Sequence, residues 1–123
     1  MKRLKTLLAL FLFLGLVNQV SAENAYKESA LSWQKQAKDT RGAVVSVAGE
    51  LEKIGDKGNP DAKGLIADAK SWLGEGDKVM SQADNEMKGE EYEKASYDYN
   101  MAWQYYVKAA TAGLNAKRIL TGQ

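Results

Sequence analysis

Cysteine and histidine are both missing from this chain of 123 residues. Their absence removes several function classes at once. Disulfides cannot staple the fold. Structural zinc, copper sites of the usual kinds and haem attachment need thiolates or imidazoles that do not exist here. Ser-His-Asp and Cys-His catalysis are excluded for the same reason. Proline occurs once, at Pro60, and both phenylalanines, Phe11 and Phe13, lie in the first stretch of the chain. Beyond them, a core has to come from Tyr, Trp, Ala and about fourteen Leu, Ile and Val residues. There is also no excess of one charge: the formal net charge is +1. No Lys/Arg stripe interleaves with aromatics, so nothing suggests nucleic acid, and no basic membrane-seeking face is present.

The N-terminus has a different character from the rest. Lys2, Arg3 and Lys5 open it, Leu7 to Val17 is apolar apart from Gly15, and Val20, Ser21 and Ala22 precede Glu23. A basic start, a short apolar run and small residues make a secretory signal peptide over residues 1–22, with cleavage expected after Ala22. The apolar run of about eleven residues is short of the roughly twenty that span a bilayer, so no stable membrane insertion is expected after cleavage. Without Lys2, Arg3 and Lys5 the basic residues fall from 17 to 14 against 16 acids, a net charge of −2 over residues 23–123. Those 101 residues suit a single domain.

Three lengthwise apolar seams organise that domain. The plainest is Tyr92, Ala95, Tyr99, Ala102, Tyr106, Ala109, Gly113, Ala116 and Leu120, in unbroken alternating steps of three and four. Such spacing puts every member on one face of an α-helix packed along its length. Tyr26, Ala30, Trp33, Ala37, Thr40, Val44, Val47, Leu51 and Ile54 repeat the pattern, as do Ala62, Ile66, Ala69, Leu73, Gly76, Met80, Ala83 and Met87. Helices are therefore predicted over about 24–54, 60–88 and 90–121. Gly55 suits a left-handed stop, Asn59 an N-cap and Pro60 the first helical position. Gly89 is expected to end the second helix, with Glu90, Glu91 and Glu93 in the first turn of the third, where the helix dipole favours acids. Short turns make neighbours antiparallel. The expected fold is all-α, an antiparallel up-down-up three-helix bundle with coiled-coil-like seams. The alternative is a four-helix bundle, if Gly74 and Gly76 split the second helix; the seam phase carries through them unchanged, which favours continuity.

Gly89, Tyr92, Ala95, Tyr99 and Ala102 stand in an order that resembles the second helix of a tetratricopeptide hairpin, with Ala83 as the small residue of the preceding helix. The stretch 89–102 is also similar to alanine-rich helical hairpins of bacterial envelope proteins. It departs from the tetratricopeptide pattern by one extra residue after Gly89, no closing proline and no second copy. The resemblance implies a tightly packed helical hairpin; no cofactor is expected, since Cys and His are missing.

Two groups of side chains are candidates for function. Tyr97, Met101 and Tyr105 recur every four residues off the main seam, and Trp103 lies on its other flank. More apolar surface than one seam needs marks either a helix buried on two sides or a face that docks a partner. The acids Asp84, Glu86, Glu90, Glu91 and Glu93 surround the second turn. Clustered carboxylates are what a divalent cation requires, although EF-hand spacing is absent; a solvated turn obeying dipole rules is the favoured account, and no metal is expected. No seam position holds a carboxylate or lysine able to act as a buried base or nucleophile, so no enzyme is expected. The expectation is an exported, periplasmic or secreted protein that binds itself or an envelope protein. The alternative is a carrier holding a small molecule or ion in a core walled by Trp33, Trp72, Trp103 and the tyrosines.

Overall fold

A computed structural model describes the backbone of residues 2–122 and the side chains of residues 22–122. The signal-peptide expectation for residues 1–22 falls, apart from Ala22, outside the described side chains. The chain forms three helices, α1 (Lys2–Ile54), α2 (Pro60–Lys88) and α3 (Tyr92–Thr121), and among the described residues there is no strand. Among the residues whose side chains are described, no helix is long and apolar enough to cross a membrane.

The turns follow from their residues. Gly55 takes φ 72° and its N–H returns to the Leu51 carbonyl at 2.8 Å, closing α1 with a left-handed residue. Asn59 accepts from the Ala62 N–H at 3.0 Å and Pro60 opens α2. Gly89 ends α2 as expected, and the departure lies in the residues after it. Gly89 keeps a negative φ of −82°, and it is Glu90, at φ 59°, that adopts the left-handed conformation. The Glu90 and Glu91 N–H groups bond back to Met87 and Glu86 at 3.1 and 2.9 Å. These bonds consume residues 90 and 91 in the turn, so α3 starts two residues later than expected and only Glu93 lies in its first turn.

Hydrogen bonds set the directions. Ser29 meets Ser96 at 2.7 Å, and further along Glu50 pairs with Lys117, so residue numbers rise together in α1 and α3. Asp84 meets Tyr99 and Asp77 meets Tyr106, so numbers fall in α2 as they rise in α3. Both α1 and α2 pack along α3, while α1 and α2 touch each other little. The third helix is the axis. Its seam, from Ala95 through Tyr99, Ala102, Tyr106, Ala109, Gly113 and Ala116 to Leu120, is buried throughout.

The two glycines of α2 do not break it. Gly74 is exposed, whereas Gly76 is buried beneath the Tyr106 ring, where an added Cβ would lie 2.5 Å from a ring carbon. Gly76 is thus a seam residue whose missing side chain lets a tyrosine in, and the helix continues through it. The core falls into two clusters. One holds Tyr99 and Tyr106 among alanines; the other holds Leu51, Ala62, Ala116 and Leu120 near the α1–α2 turn.

Candidate functional site: an aromatic girdle and a polar ladder

The off-seam aromatics of α3 divide between its two shoulders. Trp103 packs against Trp33 of α1 with ring centroids 5.2 Å apart and planes tilted by 47°. Tyr105 stacks on Trp72 of α2 at 5.6 Å and 18°. Lys108 places its ammonium 4.6 Å from the centre of the Trp72 ring, covering that stack from outside. All four residues are half-buried. Between the shoulders lie Met101, also half-buried, and Tyr97, which is 68% exposed. Of the four sequence candidates, the structure ties Trp103 and Tyr105 to neighbouring helices and leaves Tyr97 free. Together they form a girdle across the outer face of α3. Trp33 and Trp72, read from sequence as cavity walls, instead clamp the girdle at its two ends.

Inside the bundle, the seam tyrosines carry a second pattern. Tyr99 donates its hydroxyl hydrogen to Asp84 Oδ1 at 2.6 Å and accepts from Gln34 Nε2 at 2.9 Å. Tyr106 donates to Asp77 Oδ1 at 2.7 Å, and Arg41 grips the same carboxylate with Nε at 2.8 Å and Nη2 at 3.2 Å. The two sets are the same motif one heptad apart. Each takes a polar residue from α1 (Gln34, Arg41), an aspartate from α2 (Asp84, Asp77) and a tyrosine from α3 (Tyr99, Tyr106). Both rings are fully buried.

The electrostatics make this ladder static. Burial, and then the aspartate beside each, pushes both tyrosine hydroxyls well above their ordinary range. The hydrogen bonds from Arg41 hold Asp77 below the usual carboxylate range. Neither tyrosine proton is poised to move near neutrality. Sequence analysis placed both tyrosines in the core and missed their partners. The recoverable signal was the seven-residue repeat itself: 34 and 41, 77 and 84, 99 and 106.

The acidic group at the second turn is dispersed. Asp84 is committed to Tyr99, Glu91 pairs with Lys94 at 3.0 Å, and Glu90 and Glu93 face solvent. Glu86 faces Asp98 of α3. Burial first, and the hydrogen bond and negative charge of Asp98 next, push its carboxyl up to about 7. Its enclosed Oε1 has no hydrogen-bond partner. Among the described residues, no three acids converge as metal ligands. Comparison with protein-family models, with curated proteins and with solved structures finds no match to this chain.

Proposed function

We propose that this chain is an exported, non-catalytic helical-bundle protein that acts in the periplasm or outside the cell by binding another protein, either a second copy of itself or an envelope partner. The observation that carries this reading is the girdle on α3. Trp103 and Tyr105 are half-exposed yet already immobilised against Trp33 and Trp72. Binding therefore loses little side-chain entropy on ordering them. Large aromatics held rigid at the surface are the residues that dominate interface energetics. Tyr97 and Met101 supply apolar area on this face. Export is supported by the composition of residues 1–22.

Sedimentation of the wild-type protein beside a variant carrying Tyr97→Ser and Met101→Ser tests the self-association form. The wild type is expected to be dimeric and the variant monomeric with unchanged helicity. A photo-crosslinker at position 97, activated in the exporting cell, tests the partner form. A wild type that stays monomeric at high concentration and yields no adduct from position 97 overturns both.

A further inference from the structure

The ladder has a third rung position, and it is vacant. One heptad beyond Arg41, Asp77 and Tyr106, toward the α1–α2 turn, stand Ala48, Lys70 and Gly113. All three line one cavity of about 310 Å³. Where the first two rungs place a phenol, a carboxylate and a polar arm, this one has a hydrogen, a lysine and a methyl. Helix α1 closes part of the gap: a Cβ on Gly113 would lie 3.0 Å from Val47 Cγ1. The rest stays open between α1 and α2, walled by Val47, Leu51, Ile66 and Leu73, with Ala109 and Gly113 as its floor. That volume is about twice that of an engineered apolar cavity that holds benzene, and it falls at the lower end of the range for small-molecule sites.

The mouth is charged on both sides. Glu52 and Asp56 line it from the end of α1 and its turn, and Lys70 lines it from α2. Among the described residues, no ion pair joins Lys70 to either acid. The last carbonyls of α1 add partial negative charge on the acidic side. Lys57, the other cation of that turn, is occupied with the Leu120 carbonyl at 3.2 Å. An apolar hole with a carboxylate side and an ammonium side at its entrance complements a molecule with an apolar body and a zwitterionic head. A simple amine or a simple acid would leave one side of the entrance unanswered.

We propose that this cavity binds an apolar α-amino acid. Its side chain enters between α1 and α2, its ammonium faces Glu52, Asp56 and the end of α1, and its carboxylate faces Lys70. The site opens between α1 and α2 while the girdle lies on the outer face of α3, so this inference stands apart from the partner-binding proposal.

Calorimetric titration of the purified protein with L-phenylalanine, L-leucine, phenethylamine and 3-phenylpropionate tests it. The amino acids are expected to bind, and each single-charge analogue is expected to bind about threefold to fivefold more weakly than phenylalanine, the size of one partly exposed ion pair. Lys70→Gln should weaken phenylalanine by a similar factor and leave phenethylamine unchanged. Ala69→Leu, which fills the cavity from α2, should abolish binding of all four. Lys70→Gln and Glu52→Gln change exposed side chains, and they keep the test open if Ala69→Leu does not fold. Equal binding of phenylalanine and phenethylamine, or no heat with any probe at about 10 mM, overturns the proposal.

Discussion

The bundle has two halves that share one helical geometry and fill it differently. Toward the α2–α3 turn, two whole tyrosines occupy the axis, the Tyr99 hydroxyl bonded from both flanking helices and the Tyr106 hydroxyl bonded to Asp77, which Arg41 of α1 holds in turn. Toward the α1–α2 turn, the axis holds Gly113 and Ala116, and aliphatic side chains close in around a cavity. The difference separates two tasks. Aliphatic contacts hold the helices together but tolerate sliding, because one branched side chain packs much like another. A buried hydroxyl tolerates no sliding, since a shift of one residue would leave it and its aspartate unpaired at about 1–3 kcal/mol each. The tyrosine half specifies register, and the aliphatic half supplies adhesion and space.

The largest expected effect tests that division directly. Tyr106→Ala removes a fully buried ring together with the donor to Asp77, and should cost about 3–5 kcal/mol. Leu120→Ala, in the aliphatic half at 8% exposure, should cost about 2 kcal/mol. Urea unfolding of both variants measures the gap, and equal losses would erase the distinction between the halves.

Next in size is a pair of buried glycines, one in each half. At Gly76 an added methyl meets the Tyr106 ring at 2.5 and 2.7 Å, and that ring is pinned by its hydroxyl. Gly76→Ala should therefore destabilise by about 2 kcal/mol. At Gly113 the obstacle is a Val47 methyl at 3.0 Å, beside a cavity into which α1 residues can shift. Gly113→Ala should cost about 1 kcal/mol or less. If the order were reversed, the aliphatic half would be the more rigid of the two.

Removing the hydroxyls alone refines the point. Tyr106→Phe leaves Asp77 with both hydrogen bonds from Arg41, so the loss should be about 1 kcal/mol. Tyr99→Phe strands two groups, Asp84 and the Gln34 amide, and should cost about 1–2 kcal/mol. Thermal unfolding ranks them; a neutral Tyr99→Phe would show that water replaces the hydroxyl and that the rung fixes nothing.

Much of this was legible from spacing. Seam residues such as Ala30, Ala37, Ala83, Ala95 and Ala116 are fully buried, and α2 runs unbroken through Gly76, as its unshifted phase implied. Tyr26 shows where periodicity stops: it keeps the phase of the α1 seam yet is 42% exposed, because α3 begins only at Tyr92 and offers little opposite it. Glu90 and Glu91 were read into the first turn of α3, whereas Glu90 takes the left-handed conformation and both residues belong to the turn. The roles of Asp77 and Asp84 were hidden for another reason. An aspartate beside a seam looks solvated until the partner helix's register is known, and register is a property of the assembled bundle.

The α2–α3 shoulder offers a pH test. Glu86 titrates at about 7 in the fold, against an ordinary carboxyl in the unfolded chain, because burial and Asp98 oppose its charge. Between those two values the folded state holds a proton that the unfolded state has released, so stability falls as pH rises toward 7. Below the ordinary carboxyl range both states are protonated and the effect vanishes. Glu86→Gln should flatten the decline in Tm between pH 5 and 8 and raise Tm at the upper end. A slope unchanged by the substitution would place the titrating group elsewhere.

The smallest effect concerns Gly74, two residues from Gly76 on the same helix. An added Cβ there meets nothing within 4 Å, and the residue is exposed within regular helix. Gly74→Ala removes backbone freedom from the unfolded chain without touching any neighbour, and should stabilise by about 0.5–1 kcal/mol. Two glycines in one turn are thus expected to respond to the same substitution with opposite signs. The contrast isolates packing from propensity, because the helix and the methyl are the same in both. If Gly76→Ala also proved stabilising, the Tyr106 ring could not lie where the first half of the ladder requires it.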